Sequence, residues 1–126
     1  MPDLTPDSMY DPDNLFAKIL RGEIPCDKVY ESDHALAFRD IAPQAPTHVL
    51  VIPKGAYVSM ADFTETATDG EIAGFFRAVG ATAQLLGATG PGYRTIANHG
   101  ADSGQIVPHL HVHILAGRHL GPLVAG

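Results

Sequence analysis

The sequence predicts an α+β fold, and three observations carry that prediction. Short alternating or β-branched stretches lie on both sides of one long segment with helical periodicity. The gaps between those stretches suit antiparallel neighbours in a meander rather than helical crossovers. No internal repeat and no second apolar block is present, and 126 residues suit a single core. The expected architecture is an antiparallel sheet of about five strands, with one long and one short helix.

Each element has its own local reason. Residues 1–12 contain Pro2, Pro6 and Pro12 and little to bury, so a flexible tail is expected there, with the domain spanning 13–126. Asp13 or Asn14 can cap a short helix carrying Leu15, Phe16, Ile19 and Leu20 on one side, which Gly22 and Pro25 stop. Lys28–Ser32 and Ala35–Asp40 alternate and read as strands joined at Ser32-Asp33-His34. Ile41–Pro46 is too broken by proline for a helix, whereas Thr47–Ile52 is a dense β-branched run ended by Pro53.

The long helix is placed over Asp69–Leu86. Ile72, Phe75, Phe76, Val79, Ala83 and Leu86 form one apolar stripe. Gly74 and Gly80 weaken it locally, and close packing on a neighbour is one reason to tolerate them. After Gly90-Pro91-Gly92 come a strand at Tyr93–Asn98, a polar loop at His99–Ser103 and a last strand at Val107–Leu115.

Composition narrows the function. The net charge of −6, with scattered Lys and Arg, argues against nucleic-acid binding, which needs a basic stripe. Cys26 is the only cysteine, so no internal disulfide forms. No apolar run reaches membrane-spanning length, and the acidic, Pro-rich N-terminus does not look like a targeting signal. A cytoplasmic protein with no membrane partner is the expectation.

The chemistry concentrates in PHLHVHIL, residues 108–115. On an extended strand His109, His111 and His113 share one face, opposite Leu110, Val112 and Ile114. Three readings compete: metal ligands, catalytic groups, or an idle exposed row. The outer pair would stand about 13 Å apart on a strand, too far to close on one ion without ligands from elsewhere. The idle reading fits one surface histidine better than three in register. In Asn98–Gln105 (NHGADSGQ), glycines can turn backbone N–H groups toward an anion, a weak signal alone. Beside the histidines it points to a phosphate held next to an imidazole nucleophile, with no metal or other cofactor required.

The run His109-Leu110-His111-Val112-His113-Ile114-Leu115 resembles the histidine triad (HIT) superfamily motif, in which histidines alternate with apolar residues. Asn14–Pro25, Ala35–Asp40, Ala45–Lys54 and His113–Arg118 resemble its Hint branch, the nucleoside phosphoramidases, so that the likeness covers residues 13–118. The resemblance implies a HIT-like fold and a homodimer whose two sheets join into one. It implies hydrolysis at the α-phosphate of a purine nucleotide through a covalent nucleotidyl-histidine. His111 matches the nucleophile, His113 the histidine facing the phosphate and bridging atom, and His109 with His48 the pair that orients the nucleophile. Leu15, Phe16, Ile19, Phe38, Ile41 and Leu50 would enclose the base, and Asp40 would accept from the ribose hydroxyls. Asn98, Gly104, Gln105 and Val107 would line the phosphate side.

Several positions depart from the family pattern. Ile106 stands where Hint relatives carry Ser or Thr near the leaving group, which predicts slower turnover than in a serine-bearing relative. Asn14, Ala17 and Ala56 replace zinc ligands of many bacterial relatives, so that metal site is not expected. The C-terminus, His119–Gly126, lacks the tryptophan some relatives direct at the partner's site. The competing functions are a dinucleoside polyphosphate hydrolase of another HIT branch and a catalytically weak nucleotide-binding adaptor. A metal-binding module is the reading outside the family.

Overall fold

A computed structural model describes residues 10–124. The chain runs α1 (Leu15–Leu20), β1 (Lys28–Glu31), β2 (Ala35–Arg39), β3 (Thr47–Pro53), α2 (Met60–Thr66), α3 (Asp69–Leu85), β4 (Arg94–Ala97), α4 (Gly100–Ser103) and β5 (Val112–Ala116). The five strands form one antiparallel sheet in the order β1-β2-β3-β5-β4. This is the α+β architecture expected, with two helical pieces added.

Both additions have local causes. At α2, Ser59 and Asp62 form a reciprocal capping box, and Asp62 accepts from the backbone N–H groups of Val58 and Ser59. That signal, S-x-x-D, is in the sequence, but Phe63 is the one large apolar residue behind it, too little to show a period. The loop expected at 99–103 winds into the single turn of α4, which Gly104 ends at φ +83°. Of the segment expected to be a tail, residues 1–9 lie outside the described residues. Tyr10–Pro12 instead fold against the domain: Asp11 accepts from the Asp13 and Asn14 amides, and Arg21 donates to the Pro12 carbonyl.

Strand alternation then divides the core in two. Ala35 and Ala37 of β2, Val49 and Val51 of β3 and Val112 and Ile114 of β5 face α3, packing with Phe63, Phe75, Ala78, Val79, Ala83 and Leu110. The stripe foreseen on α3 is buried at Phe75, Val79 and Ala83, while Phe76 turns outward and is 44% exposed. Gly74 has a close neighbour, because a Cβ there would come within 2.2 Å of the His34 ring, whereas Gly80 has none. Leu36 and Phe38, Leu50 and Ile52 lie on the opposite face, covered only in part by Phe16, Ile19 and Leu20 of α1. No helix among the described residues is long and apolar enough to cross a membrane.

Candidate active site

The half-covered face collects the histidines. His48 precedes Leu50 by two residues on β3, and His113 pairs with Leu50 across the β3–β5 ladder, so both imidazoles emerge on the face that holds Phe38. His109 and His111 arrive differently. The strand expected from Val107 begins only at Val112, and residues 107–111 form a bent segment. Pro108 has no N–H to give a ladder, and the Leu110 N–H donates to the Tyr57 carbonyl at 2.8 Å instead. The spacing deduced for a straight strand therefore does not describe His109 and His111. Contact between the His111 and His113 rings survives, their centroids lying 5.0 Å apart.

Hydrogen-bond partners fix which nitrogen of each ring carries a proton, since a carbonyl only accepts and a backbone N–H only donates. The His109 carbonyl accepts from His111 Nδ1 at 2.8 Å, which leaves His111 Nε2 as the bare lone pair. The Gln44 N–H donates to His48 Nδ1 at 3.0 Å, so the His48 proton sits on Nε2. From there it is donated to His113 Nδ1 at 2.9 Å, which places the His113 proton on its Nε2. Burial disfavours protonating these rings further: His109 and His113 are each pushed down to about 4, and His48 and His111 are lowered too, desolvation being the largest cause in all four. Near neutral pH the site thus holds neutral imidazoles, one with an open lone pair and one with an outward N–H.

The supporting pair does not converge on one ring as the family pattern implies. His48 engages His113, and His109 reaches His111 through its backbone carbonyl rather than its ring. The His109 ring is fully buried, with Nε2 donating to the Pro53 carbonyl at 2.8 Å.

Around the histidines, Phe16 sets its ring edge-on to His111 with centroids 5.0 Å apart and meets Phe38 at 5.6 Å. Phe16, Phe38 and Leu50 are buried, Ile19 packs on them and Leu15 is 44% exposed. Ile41 projects into solvent at 97% exposure, so it walls nothing in the free chain. Asp40 stands beside His48, its Oδ2 lying 3.5 Å from His48 Nε2, and its other oxygen accepts from the Ala42 N–H. Val107 packs on the same apolar cluster. Asn98 follows β4, half-buried.

Gln105, expected on the phosphate side, and Ile106, expected near the leaving group, lie between α4 and the bent segment. The Gln105 amide is spent on the loop itself, accepting from Gly100 N–H and donating to the Val58 and Val107 carbonyls. Ile106 is 90% exposed. Tyr10, which carried no motif in the sequence, enters the site by donating to His109.

Asp40, His48 and His113 each bring a ligand atom within 4.8 Å of the others, close enough together to hold one cation. The sequence left such ligands unfound because they come from three different stretches. His48 Nε2 and His113 Nδ1 are already committed to one another, so a cation taking those atoms would have to break that bond. The zinc positions of bacterial relatives serve other ends here, Asn14 capping α1 through Ala17 N–H and Ala17 packing inside.

An antiparallel five-stranded sheet whose open face carries the alternating histidines defines the class of HIT-domain proteins, and the HIT domain model matches residues 21–120. The chain belongs to this family. It is 44% identical to a purine nucleoside phosphoramidase of Escherichia coli K12, over 90% of this chain and 94% of that protein. A 13.2 kDa HIT-like protein of Azospirillum brasilense is 66% identical over 91% of this chain and 94% of its own length. Among solved structures, a histidine triad protein from Clostridium difficile superposes with a TM-score of 0.80 at 43% identity, covering 92% of this chain and all of that one. A HIT family hydrolase from Legionella pneumophila gives 0.77 at 40% identity, covering 86% and 96%. Within the family, this chain is a hydrolase.

Proposed function

We propose that the chain hydrolyses purine nucleoside phosphoramidates, with His111 as the nucleophile. The observation that carries this reading is the bond from His111 Nδ1 to the His109 carbonyl, which presents a neutral Nε2 lone pair. His111 Nε2 attacks phosphorus and the P–N bond breaks. His113 Nε2–H donates to the phosphate oxygens or the leaving atom, its other nitrogen held by His48. The nucleotidyl-imidazole gains positive charge, and its Nδ1–H strengthens the bond to the carbonyl. Water then cleaves the N–P bond and releases the nucleoside monophosphate. The departing amine takes up one proton and the attacking water returns one, so the cycle consumes water alone.

Phe16, Phe38 and Leu50 supply the apolar side for a base, with Leu15 and Ile41 free to close on it, and Asp40 offers its carboxylate to the ribose diol. The name of the Escherichia coli relative supports the phosphoramidate as the substrate over a dinucleoside polyphosphate. A homodimer is part of the proposal. The outer edge of β4 is unpaired among the described residues, and Tyr93 just before it and Phe76 and Leu85 of α3 are exposed large apolar residues. Light scattering should return twice the chain mass of 13.3 kDa.

The deciding experiment follows AMP release from adenosine 5′-phosphoramidate. The wild type should turn over, and His111→Ala should lose at least about a thousandfold in kcat while keeping its thermal midpoint. Equal rates in the two proteins would refute His111 as the nucleophile.

A further inference from the structure

The nucleophile is held by a carbonyl, and that carbonyl belongs to a residue whose ring is itself held at both nitrogens. His109 Nε2 donates to the Pro53 carbonyl at 2.8 Å, so the neutral ring carries no proton on Nδ1. Tyr10 Oη lies 2.9 Å from that bare Nδ1, which leaves the phenol as the donor. The two rings also pack, tilted by 58° with centroids 5.6 Å apart. His109 is fully buried, so Tyr10 is its one route to satisfying Nδ1 among the described side chains. Two residues on, the His109 carbonyl fixes His111 Nδ1.

Tyr10 is itself anchored. Asp11 next to it accepts from the Asp13 and Asn14 amides, and its carbonyl also takes the Asn14 side-chain amide at 2.7 Å, tying this turn to the start of α1. The neighbouring helix in turn sets Phe16 against both His109 and His111.

We propose that Tyr10 is a positioning residue for the nucleophile: its hydroxyl caps the bare Nδ1 of His109 and holds the pose of that residue, whose carbonyl in turn orients His111. Tyr10 does not touch the reacting atoms. Its effect falls on the alignment of His111 Nε2, hence on kcat rather than on nucleotide affinity. The kinetic part of this inference rests on the phosphoramidase reading above; the placement of the two rings does not.

The test uses the full chain and Tyr10→Phe, which keeps the ring and removes only the hydroxyl. In ¹⁵N spectra of the imidazoles, wild-type His109 should show a single tautomer protonated at Nε2. Tyr10→Phe should move the His109 Nδ1 signal toward that of an unbonded acceptor and shift or broaden the His111 signals. With adenosine 5′-phosphoramidate, kcat should fall about three- to tenfold with KM held within about twofold. Tyr10→Leu, which removes the ring stacking as well, should show the same His111 shift in larger measure. Unchanged His111 signals in Tyr10→Phe would overturn the proposal, as would a rise in KM at constant kcat. If the wild type cleaves no phosphoramidate, the functional reading fails, and the imidazole spectra alone decide the role of Tyr10.

Discussion

The two faces of the sheet are built from the same strands and do opposite work. On the α3 face, Ala35, Ala37, Val49, Val51, Val112 and Ile114 meet a 17-residue helix and are sealed from water. On the other, the six residues of α1 lay Phe16, Ile19 and Leu20 over Leu36, Phe38, Leu50 and Ile52, with Phe16 also against His111, and leave His113 half-buried. A single register shift would exchange the two sets, so the apolar face locks the register and thereby aims His48 and His113. Stability is concentrated on one side, and that lets the other side carry buried neutral imidazoles, which are costly to maintain.

This division can be broken most forcefully at its aromatic centres. Phe75→Ala on the sealed face should cost about 3–5 kcal/mol of unfolding free energy, since the ring is fully enclosed between Phe63 and the sheet. Below its transition temperature the variant should keep its kcat and KM. Phe38→Ala on the open face also loses buried area, but it should raise KM, because Phe38 lies against Phe16 on the side proposed for the base. Urea unfolding with steady-state kinetics on both variants checks this. A changed KM in Phe75→Ala would show that the two faces are not separable.

Acid should act through the open face. His109 and His113 hold folded values of about 4, below the 6.5 of a free histidine. Below pH 6.5 the unfolded chain therefore binds protons that the folded chain refuses, and stability is lost as pH falls toward 4. The loss should approach about 1.4 kcal/mol per pH unit from the enclosed His109, and less from half-buried His113, which solvent screens. Unfolding curves between pH 7 and pH 4.5 should fall for the wild type and less steeply for His109→Gln. Phe75→Ala should lower the curve without changing its tilt. A flat wild-type curve above pH 5 would contradict neutral burial.

The sequence carried the sealed face well and the open face unevenly. The alternation at Ala35–Arg39, the dense β-branched run at Thr47–Pro53 and the 3.6-residue stripe of α3 are direct imprints of burial, so these elements lie within a residue or two of expectation. The histidine motif likewise named the right stretch. Pairing among the histidines was hidden because it is tertiary: His48 and His113 are 65 positions apart, and His109 acts through a carbonyl that every residue has. Tyr10 was hidden by its setting, since a lone tyrosine among prolines and aspartates has no period to betray it. Ile41, apolar and near Asp40, read as a wall, yet it follows the last ladder residue and projects into solvent.

The finest probe of the sealed face is a single glycine. A helix interior gains about 0.8–1 kcal/mol when glycine becomes alanine, yet α3 keeps Gly74 where it passes the turn ahead of β2. A Cβ there would stand 2.2 Å from His34 Cδ2, 2.5 Å from Cγ and 3.0 Å from Cβ. The imidazole cannot yield by moving its tip alone, because its root is also in the way; the side chain has to leave its rotamer. Gly74→Ala should therefore gain nothing or lose up to about 1 kcal/mol in the wild type. In a His34→Ala background the same substitution should stabilise by about 0.5–1 kcal/mol, giving a coupling near 1 kcal/mol in the double-mutant cycle. Equal gains in both backgrounds would mean that the ring does not hold the glycine in place. In that case the close approach of α3 to the sheet is set by the enclosed apolar residues, with no part played by its rim.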